Sequence, residues 1–452
     1  MSLQPPHIPY DSGPDPRAKQ KLPKLAALCS SYFPRSHSQH TVDRFLMGYE
    51  YDGQFHYPPF QIASLYVDQR HEDDLSRLRA EQYGCQIYPD IAAALTLGGD
   101  TLAVDGVLLV CENGDYPTDE RGAILYPRYE FFREMVAVFD ASGRSVPVFN
   151  DKHLSYDWTK ARWMYEQLTK LNIPMLAGSS LPVTWRLPEL EIPLETPLQE
   201  ALAVYPGHVE SYGIHALEML QCMVERRRGG ESGIQAVQYL EGAAVWRAAA
   251  EGRWSRPLLE AARSRRLPRQ VVERQRTWST VQLEAAYAAA PVPNLEPLEE
   301  QAKNPVALLV EYRDGLRAAC INLNIPNQDF AFAAHRADGQ IDSTLFFLGG
   351  PPESAYHGIQ VHHIEELFTN GRANYPVERT LLTTGVLAFL MDSRQQGHQR
   401  LETPDLNISY QVTSASHFAR GPMPLRCPWA PHGLFEPLAR SLGLWPQKDT
   451  AG

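Results

Sequence analysis

Several functional classes are excluded by what this sequence lacks. Its six cysteines (29, 85, 111, 222, 320 and 427) fall without any CxxC spacing, a pattern that suits reduced thiols in a cytoplasmic protein and argues against a disulfide framework or zinc knuckle. Basic charge is not in excess. The formal net charge is −11, so no positive field is available to hold a nucleic-acid backbone. The one basic knot, "ERRRGG" at 225–230, reads as a helix end. No apolar run reaches the roughly 18 residues that a membrane span needs. Residues 1–23 are proline-rich and polar, lack the apolar core of a signal peptide, and read as a loose arm. Internal repeats and low-complexity tracts are missing as well.

What is present is enough apolar material for a large core. The chain has 452 residues, 44% hydrophobic and 21% charged, the balance of a globular protein with more than one domain. From Lys24 to about Arg186, apolar strands alternate with amphipathic helices, the pattern of a doubly wound parallel sheet. The strands are "KLAALC", "FQIASLYVD", a short "CQIY", "VDGVLLVC", "VPVF" and "IPMLAG". In such sheets the ligand crevice lies at the carboxyl ends of the strands. From residue 187 to 452 the pattern changes to one long helix around 211–230, several strands, and a further helix at 378–395. Asp314-Gly315 between apolar runs marks a hairpin. This second part reads as an α+β domain with a large open, mostly antiparallel sheet, and "LPELEIPLETPLQ" (187–199) as the crossing into it. "APVPNLEPLEEQAKNP" (290–305) reads as a long loop.

Polar residues crowd the predicted strand ends: Glu112 and Asp115, then Asn150, Asp151, Lys152 and His153. Histidine and carboxylate side chains at these ends and on the long helix allow a metal reading, with His153, His208, His215 and Glu218 holding zinc or manganese as a Lewis acid. On a helix His215 and Glu218 share a face. The blander alternatives are a helix-start lysine at 152 and a core histidine at 215. "VHHIEEL" (361–367) reads as a solvated face, and Glu378 and Arg379 as a surface or interdomain pair of small energetic value.

Five segments, in order, resemble the Gfo/Idh/MocA family of glucose–fructose oxidoreductase and inositol dehydrogenase. "VDGVLLVCENGDY" is similar to the family's fourth strand. "VPVFNDKHLS" resembles its EKP segment and puts Lys152 on the catalytic lysine. "MLAGSSLPVTWRLP" puts Arg186 on the family's arginine. "SYGIHALEML" resembles the DxGxHxxD helix, matching Gly213, His215 and Glu218 by spacing. "VEYRDGLRAACINL" resembles the hairpin that follows.

The resemblance implies a Rossmann-like domain over 24–186, a substrate and oligomerisation domain over 187–452, and a homo-oligomer formed through the open sheet. It also implies a nicotinamide cofactor, NAD or NADP, and oxidation of a sugar-like or polyol-like hydroxyl or reduction of the ketone. Lys152 and His215 would handle protons. Asp151, His153, Arg186 and Ser211 would contact substrate. Asp68 would take a cofactor ribose, bordered by Glu112 and Asn113.

Two departures stand out. Where a dinucleotide domain opens into GxGxxG, this chain has "CSSYFPRSHSQH" (29–40), without glycine; Ser30, Ser31 and Arg35 could donate to a phosphate there by a different device. The family's catalytic Asp falls at Ser211, with Glu210 the adjacent carboxylate. These departures leave two other outcomes open: a non-redox, possibly metal-dependent hydrolase, lyase or isomerase on the same fold, and a non-catalytic small-molecule-binding descendant.

Overall fold

A computed structural model describes residues 17, 20–52, 54–265, 298–325, 328–348 and 354–421. Cys427, most of the proline-rich arm and the first half of the 290–305 segment lie outside them. The first layer runs β1 (Lys24–Cys29), α1 (His37–Met47), a small hairpin of β2 (Tyr49–Tyr51) and β3 (Gln54–His56), and β4 (Gln61–Val67). It continues with α2 (Ser76–Tyr83), β5 (Gln86–Ile87), α3 (Ile91–Thr96), β6 (Gly106–Val110), α4 (Arg128–Ser142), β7 (Val148–Asp151), α5 (Trp158–Lys170) and β8 (Met175–Gly178).

The six strands other than the hairpin form a parallel sheet in the order β5-β4-β1-β6-β7-β8. The direction of strand order therefore reverses beside β1, where a crevice opens outside the carboxyl ends of β1 and β6. The central strands carry side chains buried on both sheet faces, as in β6, where every residue is buried. Two separate apolar clusters, one per face, enclose the sheet.

The second layer contains β9 (Trp185–Leu187), β10 (Leu198–Val204), α6 (Val209–Val224), β11 (Ile234–Glu241), α7 (Ala243–Ala250), α8 (Arg256–Arg263) and α9 (Leu298–Gln301). Then follow β12 (Val306–Tyr312), β13 (Arg317–Asn322), β14 (Ala331–Arg336), β15 (Ile341–Phe347), α10 (Tyr356–Asn370), α11 (Glu378–Gln395) and β16 (Leu401–Glu402). Its sheet has eight strands in the order β16-β11-β12-β13-β10-β14-β15-β9. It is antiparallel except where β10 pairs with β13, as the mostly antiparallel pattern predicts.

One face of this sheet packs on α6 and α11. The other face is covered by the chain itself: Leu240, Leu309, Ile321 and Ala333 pack with Val245, Trp254, Leu258 and Leu259 of the α7–α8 region. The face that the resemblance offers for subunit contact is thus occupied, over these strands, by two of the chain's own helices. Among the described residues no helix is long and apolar enough to cross a membrane.

Two expectations about the last helices change. α10, which contains "VHHIEEL", is not a solvated face. It packs on α1 and β2 and buries His357, His363 and Glu365. Glu365 accepts hydrogen bonds from Tyr49 Oη at 2.5 Å and from His56 Nε2 at 2.7 Å, partners that no local pattern reveals. Likewise Arg379 is buried and grips buried Glu225 with two nitrogens, at 2.9 and 2.5 Å, while Glu378 accepts from Tyr165 Oη. The knot at 225–230 is a helix end as expected, with Arg226 and Arg227 buried in internal bonds.

Candidate functional site

The parallel strands deliver their polar ends to one place. Glu112 follows β6, Lys152 follows β7 and Ser179 follows β8. A cavity of about 410 Å³ opens there, lined among others by His37, Glu112, Lys152, Ser211, Tyr212 and His215. The first three come from the parallel-sheet layer and the last three from α6, so the cavity lies between the two layers.

Lys152 is the centre of the arrangement. Its backbone takes a left-handed conformation, φ 60°, uncommon for a side-chain-bearing residue. Its N–H donates to Gly178 O at 3.1 Å, which anchors the turn to β8. Gly178 itself must be glycine: φ is 116°, and a Cβ would lie 2.4 Å from Glu218 Oε2. The Lys152 ammonium, only 4% of the residue being exposed, donates to Glu112 Oε1 at 2.5 Å and to Ser211 O at 3.1 Å.

Glu112 is shared. Arg128 Nη2 reaches its other oxygen at 2.5 Å. Burial by itself would raise the Glu112 carboxyl, but Lys152 and Arg128 outweigh it and hold the group well below the usual carboxylate range. Arg128 also donates from Nε to Asp151 O at 3.2 Å. Of the two cations that flank this anion only Lys152 lines the cavity, where its ammonium can donate to an electron-rich oxygen of a ligand.

His215 stands on α6. Its Nδ1 is 2.5 Å from Ser179 Oγ, which also accepts from Leu181 N–H. Burial first, then the Lys152 charge, pushes its pKa well below the ordinary histidine value, so it is a neutral imidazole with Nε2 left for a ligand. Glu218, one turn on, is not in the cavity. It accepts from Ser179 N–H and Thr380 Oγ1, both at 2.5 Å, and serves as the buttress behind Ser179.

Other candidates are placed elsewhere. Glu210 lines a neighbouring crevice of about 530 Å³ together with His208, accepting from Ile124 N–H at 3.2 Å. One residue further along α6 the side chain turns by about 100°, and Ser211, not Glu210, meets the cavity. Arg186 is buried in β9, donates to Leu190 O and Pro182 O, and packs on Phe418; it does not line the cavity. His153 is buried with Nε2 3.3 Å from Arg128 Nη1, so a guanidinium occupies the side a cation would need. His153, His208, His215 and Glu218 therefore sit in four different environments. Among the described residues no group of three histidine, cysteine or carboxylate side chains is arranged to hold a metal, and the metal reading has no donor set behind it.

The β1–α1 loop is filled rather than hollow. Ser30, Ser31, Tyr32 and Ser36 are buried. Ser30 Oγ donates to Asn113 O at 2.7 Å. The backbone donors that a phosphate would use are engaged internally: Phe33 N and Gln39 N by Ser36 Oγ, Arg35 N by Gln39 Oε1, and His37 N by Asn113 Oδ1. Asp68 accepts from Tyr66 Oη and Tyr116 Oη, at 2.9 and 2.7 Å, so Tyr116 from the β6–α4 loop reaches across to the position expected to take a ribose. Arg35 borders the cavity. These residues do not fit a dinucleotide pyrophosphate in the way a glycine loop does.

No protein-family model matches the sequence, and no curated protein matches it. Solved structures do. GenD2 from gentamicin A biosynthesis, in complex with NAD, superposes with a TM-score of 0.50, covering 85% of this chain and 97% of that one at 12% identity. The fold shared with GenD2 is a parallel Rossmann-like sheet joined to a second, mostly antiparallel sheet. A myo-inositol dehydrogenase from Corynebacterium glutamicum gives 0.47, with 84% and 99% covered at 10% identity. A probable dehydrogenase from Thermotoga maritima gives 0.48, with 85% and 99% covered at 11% identity.

Several lining residues were not singled out in the sequence, among them His37, Tyr126, Tyr212 and His357. His37 sits in the glycine-free loop region, and its pairing with Asp151 at 2.7 Å spans 114 positions. The available signal was the glycine-free stretch itself, in which Ser30, Ser31 and Arg35 were the expected donors.

Proposed function

We propose that this chain is an enzyme that performs acid–base chemistry at a hydroxyl- or carbonyl-bearing carbon of a small, sugar-like molecule held in the Lys152 cavity. The observation that carries this reading is the buried Lys152–Glu112 pair meeting neutral His215 in one cavity. Lys152, paired with Glu112, supports charge on a substrate oxygen, and His215 Nε2 exchanges its proton. A volume of about 410 Å³ walled by hydrogen-bonding side chains suits a molecule of many hydroxyls.

The fold supports the oxidoreductase form of this chemistry, and GenD2 carries NAD. A nicotinamide, when bound, accepts or supplies hydride. The filled β1–α1 loop does not fit its pyrophosphate. That same loop favours a second reading, proton transfer without hydride. Fluorescence titration with NADH and NADPH separates the two. Saturable binding, with polyol-dependent reduction of NAD or NADP that Lys152→Ala abolishes, establishes the redox form. Lack of binding by either nucleotide removes it.

A further inference from the structure

We infer that His37, held by Asp151, is a second acid–base residue of the cavity. This rests on the reading of the cavity as an acid–base site. His37 opens α1, whose first turn is fixed by the Ser36 cap and by Asn113 Oδ1 accepting from His37 N. Its Nδ1 lies 2.7 Å from Asp151 Oδ2, and the side chains are 20% and 3% exposed respectively. Asp151 is the last residue of β7 and pairs with Gly178 of β8, so the carboxylate is set by the parallel sheet rather than by a loop.

A buried carboxylate on Nδ1 fixes the tautomer and orientation of an imidazole. Nε2 has no partner among the described residues, and the ring lines the cavity. The edge of His357 lies against His37, with centroids 5.3 Å apart, which limits rotation. The region that gives up the pyrophosphate cradle thus supplies a base to the same cavity that holds Lys152 and His215.

With a base from α1 and another from α6, a keto-polyol can be isomerised without an oxidant. His37 Nε2 takes the proton from a carbon beside the carbonyl. The C–H electron pair becomes the C=C bond of an enediolate as the carbonyl π pair moves onto oxygen, next to the Lys152 ammonium. A proton returned to the first carbon restores the starting carbonyl; returned to the former carbonyl carbon, while His215 carries the neighbouring hydroxyl proton to the oxyanion, it gives the isomer, so atoms and electrons balance within the substrate.

Wash-in of solvent deuterium is the test, followed by proton magnetic resonance with D-fructose and 2-keto-myo-inositol as probes. The full chain is expected to catalyse exchange beside the carbonyl. His37→Gln should lower that rate about 100-fold, and Asp151→Asn should lower it too, with the thermal midpoint of both variants near the parent value. The His37 Nδ1 proton should resonate far downfield and move upfield in Asp151→Asn. Exchange lost in Lys152→Ala but unchanged in His37→Gln overturns the role of His37 and leaves the cavity reading intact. Exchange lost in His37→Gln but unchanged in Lys152→Ala overturns the role of Lys152 and keeps that of His37. Lack of exchange by the parent chain with both probes overturns both.

Discussion

Lys152 Nζ lies 2.5 Å from Glu112 Oε1, and both residues are buried. Arg128 completes the group on the other Glu112 oxygen. Removing the one anion strands two buried cations, whose desolvation is no longer offset. Glu112→Gln should therefore cost about 3–5 kcal/mol. Urea unfolding checks this; a loss under about 1 kcal/mol would mean that water reaches the group.

Glu218 gives a dependence on pH. Burial raises its pKa to about 7, against opposing hydrogen bonds from Thr380 and Ser179. A folded pKa above the unfolded one means that the native state holds the proton more tightly. The Glu218 contribution is then complete below the ordinary carboxylate pKa of about 4.3 and is lost as pH rises through about 7, by roughly 3 kcal/mol in all. Urea unfolding of the parent chain and Glu218→Gln at pH 5 and pH 8 tests this. The parent should lose more stability than the variant between the two pH values.

Arg379 and Glu225 form a buried bidentate pair joined by Tyr410 Oη, 2.8 Å from Glu225. Arg379→Met leaves Glu225 without its cation and should destabilise the chain by about 3–5 kcal/mol. The surface value of about 0–1 kcal/mol, which the sequence alone suggests for this residue, is the competing outcome. The shift in urea midpoint separates them.

The architecture was legible because it rests on local patterns. Apolar strands buried on both faces, as in "GVLLV" of β6, announce a parallel sheet, and Asp314-Gly315 announces the β12–β13 hairpin seen in the antiparallel register. Lys152 and His215 were expected from the resemblance of the segments around them, and Glu112 from its place at a strand end; the three line one cavity. Pairings across long separations were hidden. Glu365 looks solvated in "VHHIEEL" because Tyr49 and His56 are more than 300 residues away. The sheet face under α7 and α8 looked open because their apolar stripes give no hint of which sheet they cover. Whether the chain self-associates through another surface is read directly from its mass by light scattering. A monomer is the expectation if the covered face is the contact surface lost.

The central claim is that the cavity around Lys152 takes up a sugar-like carbonyl compound. Calorimetric titration of the parent chain and Lys152→Met with 2-keto-myo-inositol tests it most directly, since Arg128 still neutralises Glu112 in the variant. The account predicts saturable binding by the parent chain, weakened at least about tenfold in Lys152→Met, as the loss of one charge-assisted hydrogen bond implies. Equal affinity in the two proteins, or no binding by the parent chain, would contradict it.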